Sequence, residues 1–112
     1  MAVNNMVLSA IGNSTPFSLP MKGYAFAGQA GYSALVNFSS GANLTATVQV
    51  SNDPVALSSP STARWNNHDT LNGLTGSKNS SIVFPVYAVR LVLSAWTSGT
   101  AYLDIGTVDY LL

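Results

Sequence analysis

Apolar and polar residues alternate with a period of two through most of this chain. Leu44, Ala46, Val48 and Val50 alternate with Thr45, Thr47, Gln49 and Ser51, the pattern of a strand with one face in a core and the other in water. Tyr87, Val89, Leu91, Leu93 and Ala95 form one face of a second predicted strand, and Ala88, Arg90, Val92, Ser94 and Trp96 form the other. Ala101, Leu103 and Ile105 alternate with Tyr102, Asp104 and Gly106 in a third. Weaker alternation predicts strands at residues 3–10, 21–27, 32–39 and 81–84, and no helical stripe of useful length occurs. Glycine and proline punctuate these segments at Pro16, Pro20, Gly28, Gly31, Gly41, Pro54, Pro60, Gly73, Gly76, Pro85 and Gly99. Short strands at this spacing predict an all-β fold: a single antiparallel β-sandwich over residues 1–112, with jelly-roll or Greek-key connections.

Two segments extend this reading. Residues 88–107 look like a hairpin turning at Thr97-Ser98-Gly99-Thr100. If Thr97 opposes Ala101, then Ala95 faces Leu103 and Leu93 faces Ile105, which gathers the aliphatic residues on one face. Gly99 is then available for a positive φ in a three-residue loop. The same register sets Trp96 opposite Tyr102 and Ser94 opposite Asp104, with Arg90 further along that face. Residues 52–80, by contrast, run for 29 residues without a sustained period. A loop of this length is unusual in a compact domain, so it is either mobile or ordered by a partner or by short elements of its own.

Charge changes the functional picture more than the fold. Only Lys22, Arg64, Lys78, Arg90, Asp53, Asp69, Asp104 and Asp109 carry formal charge, they cancel, and the chain has no Glu. Ser, Thr and Asn supply the polarity instead, at 34 of 112 residues. A surface of this kind hydrogen-bonds well and repels poorly, which favours association and a homo-oligomer or larger assembly. Zero net charge offers no basic footprint for nucleic acid. The chain has no cysteine, which excludes disulfides and thiolate metal sites. The N-terminal residues predict no signal peptide, and no segment predicts a membrane span.

Candidate chemistry is correspondingly thin. His68 is the only histidine, beside Asp69, and no Gly-x-Ser-x-Gly elbow accompanies them. The expectation is a capped turn, with Asp69 accepting backbone N–H groups and His68 partly exposed. Asn66, Asn67, His68 and Asp69 offer too few carboxylates for a calcium loop. No catalytic, metal or cofactor residue is therefore assigned. The aromatic residues remain. Trp96 and Tyr102 on one face, beside Arg90 and Asp104, fit a sugar platform, a face packed against a second sheet, or a subunit interface. Trp65 in the polar loop fits a partner anchor or a lid folded back over its own sheet. Arg90, mid-strand between Val89 and Leu91, calls for a carboxylate or several carbonyls as partners if buried, with Asp104 and Asp109 the candidates. The C-terminal Leu111 and Leu112 each gain roughly 1.5–3 kcal/mol from full burial in a fold or interface. Trp65, Arg90, Trp96, Tyr102, Leu111 and Leu112 are thus the candidate interface residues.

The runs Val48-Gln49-Val50-Ser51-Asn52-Asp53-Pro54, Trp65-Asn66-Asn67-His68-Asp69-Thr70-Leu71-Asn72-Gly73-Leu74-Thr75, Pro85-Val86-Tyr87-Ala88-Val89-Arg90-Leu91 and Thr97-Ser98-Gly99 resemble a pattern in small virion structural proteins of tailed bacteriophages. The resemblance covers roughly residues 44–107. It implies a β-rich protein without enzymatic activity, located in the virion and assembled in the bacterial host cytoplasm. The implied role is capsid cement or decoration, with the major capsid protein or other virion proteins as partners. Val48-Gln49-Val50-Ser51, the following Trp65 and Val89-Arg90-Leu91 also resemble discoidin-type sandwich modules, many of which bind carbohydrate. That likeness implies the alternative, a carbohydrate-binding module of a phage tail or fibre. A tail or neck component is the third reading.

Overall fold

The computed structural model describes residues 2–18, 32–82 and 87–107. The expected strand at 21–27, the end of the one expected at 81–84, Asp109, Leu111 and Leu112 lie outside them. Among the described residues nine strands form: β1 (Ala2–Leu8), β2 (Gly12–Asn13), β3 (Phe17–Ser18), β4 (Tyr32–Phe38), β5 (Asn43–Ser51), β6 (Asn66–Asn67), β7 (Lys78–Ile82), β8 (Ala88–Ser98) and β9 (Ala101–Thr107). They make two antiparallel sheets, in the orders β1-β9-β4-β7 and β2-β8-β5-β6, with β3 also paired to β8. The protein is an all-β sandwich.

Alternation explains which side of each strand faces in. Tyr32, Ala34 and Val36 of β4 and Leu103 and Ile105 of β9 meet Leu44, Ala46, Val48 and Val50 of β5 and Val89, Leu91 and Leu93 of β8 in one core. Leu71, from the segment without a period, is fully buried in the same core. The pairings nest: β5 with β6, β4 with β7, β2 with β8, and β1 with β9. Two further pairings, β4 with β9 and β5 with β8, complete the sheets.

The predicted hairpin at 88–107 does not form. β8 and β9 lie in opposite sheets, and the chain crosses the core between them at Gly99 and Thr100. Alternation fixes the face a strand buries but not the strand it pairs with. Two strands with apolar faces satisfy that constraint equally well side by side or across a core. A register shift where Thr45 pairs Ala95 and Ala46 pairs Leu93 leaves Ser94 as an extra residue, so Ala95 turns outward and is exposed.

Three crossings lie together at this end: β1 to β2, β4 to β5 and β8 to β9. Ser9 Oγ lies 3.1 Å from Thr100 Oγ1, Ser39 N–H donates to Thr100 O at 2.9 Å, and Thr100 N–H donates to Ser39 Oγ at 2.9 Å. Gly99 holds φ at +94°, and a Cβ there would stand 2.5 Å from Ala42 Cβ. Glycine is required at 99 both by backbone conformation and by the close approach of two crossings.

Residues 52–80 are ordered by short elements of their own. β6 pairs with the end of β5, Leu74 bridges Ala46, and β7 begins at Lys78. The segment 66–74 thereby completes the β5 edge, with Leu71 and Leu74 turned toward the core.

Candidate functional site

The loop after β5 is closed by a single carboxylate. Asp53 Oδ1 accepts the Val55 N–H and Oδ2 accepts the Arg64 N–H, each at 3.1 Å, and the Arg64 Nε lies 3.4 Å from Oδ2. These backbone donors, with the Arg64 guanidinium adding to them, hold the Asp53 carboxyl below its ordinary value. Ser51 completes the closure, donating to Arg64 O at 2.6 Å and accepting the Asp53 N–H at 3.0 Å.

This closure delivers Trp65 to the outer face of the β2-β8-β5-β6 sheet. Its Nε1 donates to Pro60 O at 3.0 Å, and the Arg90 Cζ stands 4.2 Å from its ring centroid. Arg90 and Gln49 are register partners on β8 and β5. Arg90 Nε donates to Gln49 Oε1 at 2.9 Å, and Gln49 Nε2 donates to Asn67 Oδ1 at 2.9 Å. Partial burial lowers the Arg90 guanidinium from its ordinary value. Beside Arg90 opens a cleft of about 320 Å³, walled by residues 13–16 on one side and by Leu57, Pro60 and Ser61 on the other. A second groove, of about 450 Å³, lies between residues 5–8 of β1 and the same 13–16 segment.

The outer face of the β1-β9-β4-β7 sheet is different. Register aligns Val7, Tyr102 and Asn37 in one row and Asn5, Asp104, Leu35 and Asn79 in the next. Val7, Leu35 and Tyr102 are all more than a third exposed. Asp104 is the one formal charge in these rows, and Asn5 Nδ2 donates to it.

His68 closes one open side of the sandwich. It is buried, contrary to the expectation of partial exposure, while the Asp69 side chain is 85% exposed. The His68 ring, not Asp69, caps the turn: Nδ1 accepts the backbone N–H groups of Thr70 at 3.1 Å and Leu71 at 3.2 Å. A nitrogen accepting these bonds carries no proton, so Nε2 carries it and donates to Ser81 O on β7 at 2.9 Å. Asp69 Oδ1 lies 3.5 Å from Nδ1, but with that nitrogen an acceptor this is proximity and not an ion pair. Thr70 Oγ1 adds a 2.7 Å contact to Ser80 Oγ. Both ring nitrogens are thus committed to tying the β6 edge of one sheet to the β7 edge of the other.

The structure brings together two of the candidate residues, Trp65 and Arg90, and separates Trp96 from Tyr102; Leu111 and Leu112 lie outside the described residues. Trp96 is on β8 opposite Leu44 and donates from Nε1 to Gly99 O at 2.8 Å. Tyr102 is on β9 in the other sheet, so no shared Trp96–Tyr102 face exists. The carboxylate expected for Arg90 is not Asp104, which is on that other sheet; among the described residues an aromatic ring and a neutral amide take its place. Trp65 lies against its own sheet, the arrangement expected of a lid. Gln49 and Asp53 were not singled out by the sequence. The Asn-Asp-Pro turn after β5 was the available signal for Asp53, and strand register, which the sequence left open, was the one needed for Gln49. Compared with models of known families, with curated proteins and with solved structures, the chain matches none.

Proposed function

We propose that the protein is a non-enzymatic structural component of a bacteriophage virion, a capsid cement or decoration protein. It seats the outer face of the β1-β9-β4-β7 sheet on the major capsid protein. The observation that carries this reading is that face itself: Val7, Leu35 and Tyr102 exposed among amides, with Asp104 already taken by Asn5. Burying such a face removes apolar area from water, at the cost of desolvating the one carboxylate, Asp104, which Asn5 hydrogen-bonds but does not neutralise. The nested strand order supports this reading, since one long hairpin rolled into a jelly roll would pair its strands in this way, an architecture used by capsid proteins and also by lectins. Fold alone does not choose between those uses. The sole histidine, with both nitrogens held in structural hydrogen bonds, supports a role without catalysis. The resemblance of residues 44–107 to small virion proteins supports the location.

The test is co-sedimentation of purified protein with assembled capsid shells. Saturable binding, at a ratio set by shell symmetry, is the expected result. Protein that stays in the supernatant at all concentrations would overturn the proposal.

A further inference from the structure

We propose that the cleft beside Arg90 binds an acidic sugar unit, with the guanidinium taking the carboxylate and the cleft walls taking the ring. The site lies on the opposite sheet from the proposed shell contact, so either assignment stands or falls without the other. The argument begins with how Arg90 is held. Its Cζ lies over the Trp65 ring, and its Nε is held by Gln49. Among the described residues, no oxygen accepts from its two terminal nitrogens. Those nitrogens form a rigid planar fork, the geometry that matches a carboxylate through two parallel hydrogen bonds. Partial burial has already stripped the guanidinium of some water, and a ligand anion restores what burial removed.

The walls say what accompanies the carboxylate. A volume of about 320 Å³ falls at the small end of ligand sites. An Asp or Glu side chain from a protein partner fills only a fraction of it. Asn13, Thr15 and Ser61 set amide and hydroxyl groups around the space, and Pro16 and Pro60 supply apolar surface. A six-membered sugar acid presents the complement of each: hydroxyls at the rim, C–H faces on the ring, and one carboxylate. Among the described residues that line the cleft none is acidic.

The experiment uses glucuronate as the probe, with glucose and acetate as comparison arms. A Trp96→Phe chain leaves Trp65 as the sole tryptophan, excited selectively above the tyrosine band, and ligand-detected NMR repeats the measurement on the unaltered protein. Saturable quenching or shift of Trp65 by glucuronate is expected, with affinity about tenfold or more above that of glucose or acetate. Arg90→Lys keeps the charge but loses the fork, and should weaken glucuronate about tenfold. Thr15→Val, at an exposed position, should weaken it a few-fold at an unchanged melting temperature. Equal response to glucose and glucuronate would overturn the proposal. So would acetate binding as tightly as glucuronate, which would mark a simple anion site. A glutamate-bearing peptide that displaces glucuronate at lower concentration would assign the cleft to a protein partner instead, and would also overturn it.

Discussion

The two outer faces of this sandwich are treated in opposite ways by the same chain. On the β2-β8-β5-β6 sheet, residues 52–65 fold back, and Thr47, Gln49, Ser51 and Arg90 are all engaged by side chains or backbone of the protein itself. On the β1-β9-β4-β7 sheet, no described residue lies over Tyr102, Leu35 and Val7 to bury them. The covered face meets its hydrogen-bonding needs within the chain and keeps only a cleft of ligand size. Among the described residues the other face retains exposed apolar area. On the function proposed above, the long loop covers the self-contained face and leaves the other for association.

The largest expected effect tests the tie between the two sheets. His68→Ala removes the acceptor for two backbone N–H groups and the donor for Ser81 O, at a cost of about 3 kcal/mol. For a domain of this size the melting temperature should fall by more than about 10 °C. Asp69→Ala, one residue on, should change stability by less than about 0.5 kcal/mol. Calorimetry of both variants checks the contrast, and equal effects would remove His68 as the tie between the sheets.

Next is Gly99→Ala, which forces a side chain into a positive φ and onto Ala42. It should cost about 2–3 kcal/mol by thermal melting. A neutral result would mean the crossings are not packed against each other. Trp65→Ala should then cost about 1–2 kcal/mol, from lost ring burial and lost cation–π contact with Arg90. It should leave shell binding unchanged. Loss of shell binding without a change in melting would make Trp65 the anchor and the covered face the interface.

The smallest effect is that of pH on the loop closure. The Asp53 carboxyl is held below its ordinary value by the Val55 and Arg64 N–H groups, so its contribution is complete above the unfolded-state value. It is lost as pH falls through the lower folded-state value. Asp53→Asn should therefore flatten the acid limb of a stability profile measured between neutral and strongly acidic pH. An unchanged acid limb would discount this closure.

The fold class was legible in the sequence because period-two alternation reports burial on one face directly. β5 is the clearest case, with Leu44, Ala46, Val48 and Val50 all buried as the pattern requires. What alternation does not report is the partner strand, and the 88–107 segment shows the consequence. Trp96 and Tyr102 were assigned to one face through a register that the crossing at Gly99 abolishes. Arg90 and Trp65 were legible as unusual residues, but their pairing depends on a loop that returns through Asp53 contacts local to the turn. His68 was misread because a buried imidazole that caps its own turn carries no pattern along the chain; only the proximity of Ser81 across the sandwich distinguishes it.

The central claim is that the bare face is the one that meets a partner. Leu35→Asp sets a second carboxylate on that face, opposite Asp104 on β9, a like-charge pair with a cost below about 1 kcal/mol, and leaves the core untouched, since Leu35 points away from it. Sedimentation with capsid shells, run beside Trp65→Ala and with melting curves for each chain, isolates the effect. The account predicts that Leu35→Asp melts within about 1 kcal/mol of the parent and loses shell binding by on the order of 2 kcal/mol or more. A Leu35→Asp chain that binds shells as tightly as the parent, while Trp65→Ala does not, would contradict it.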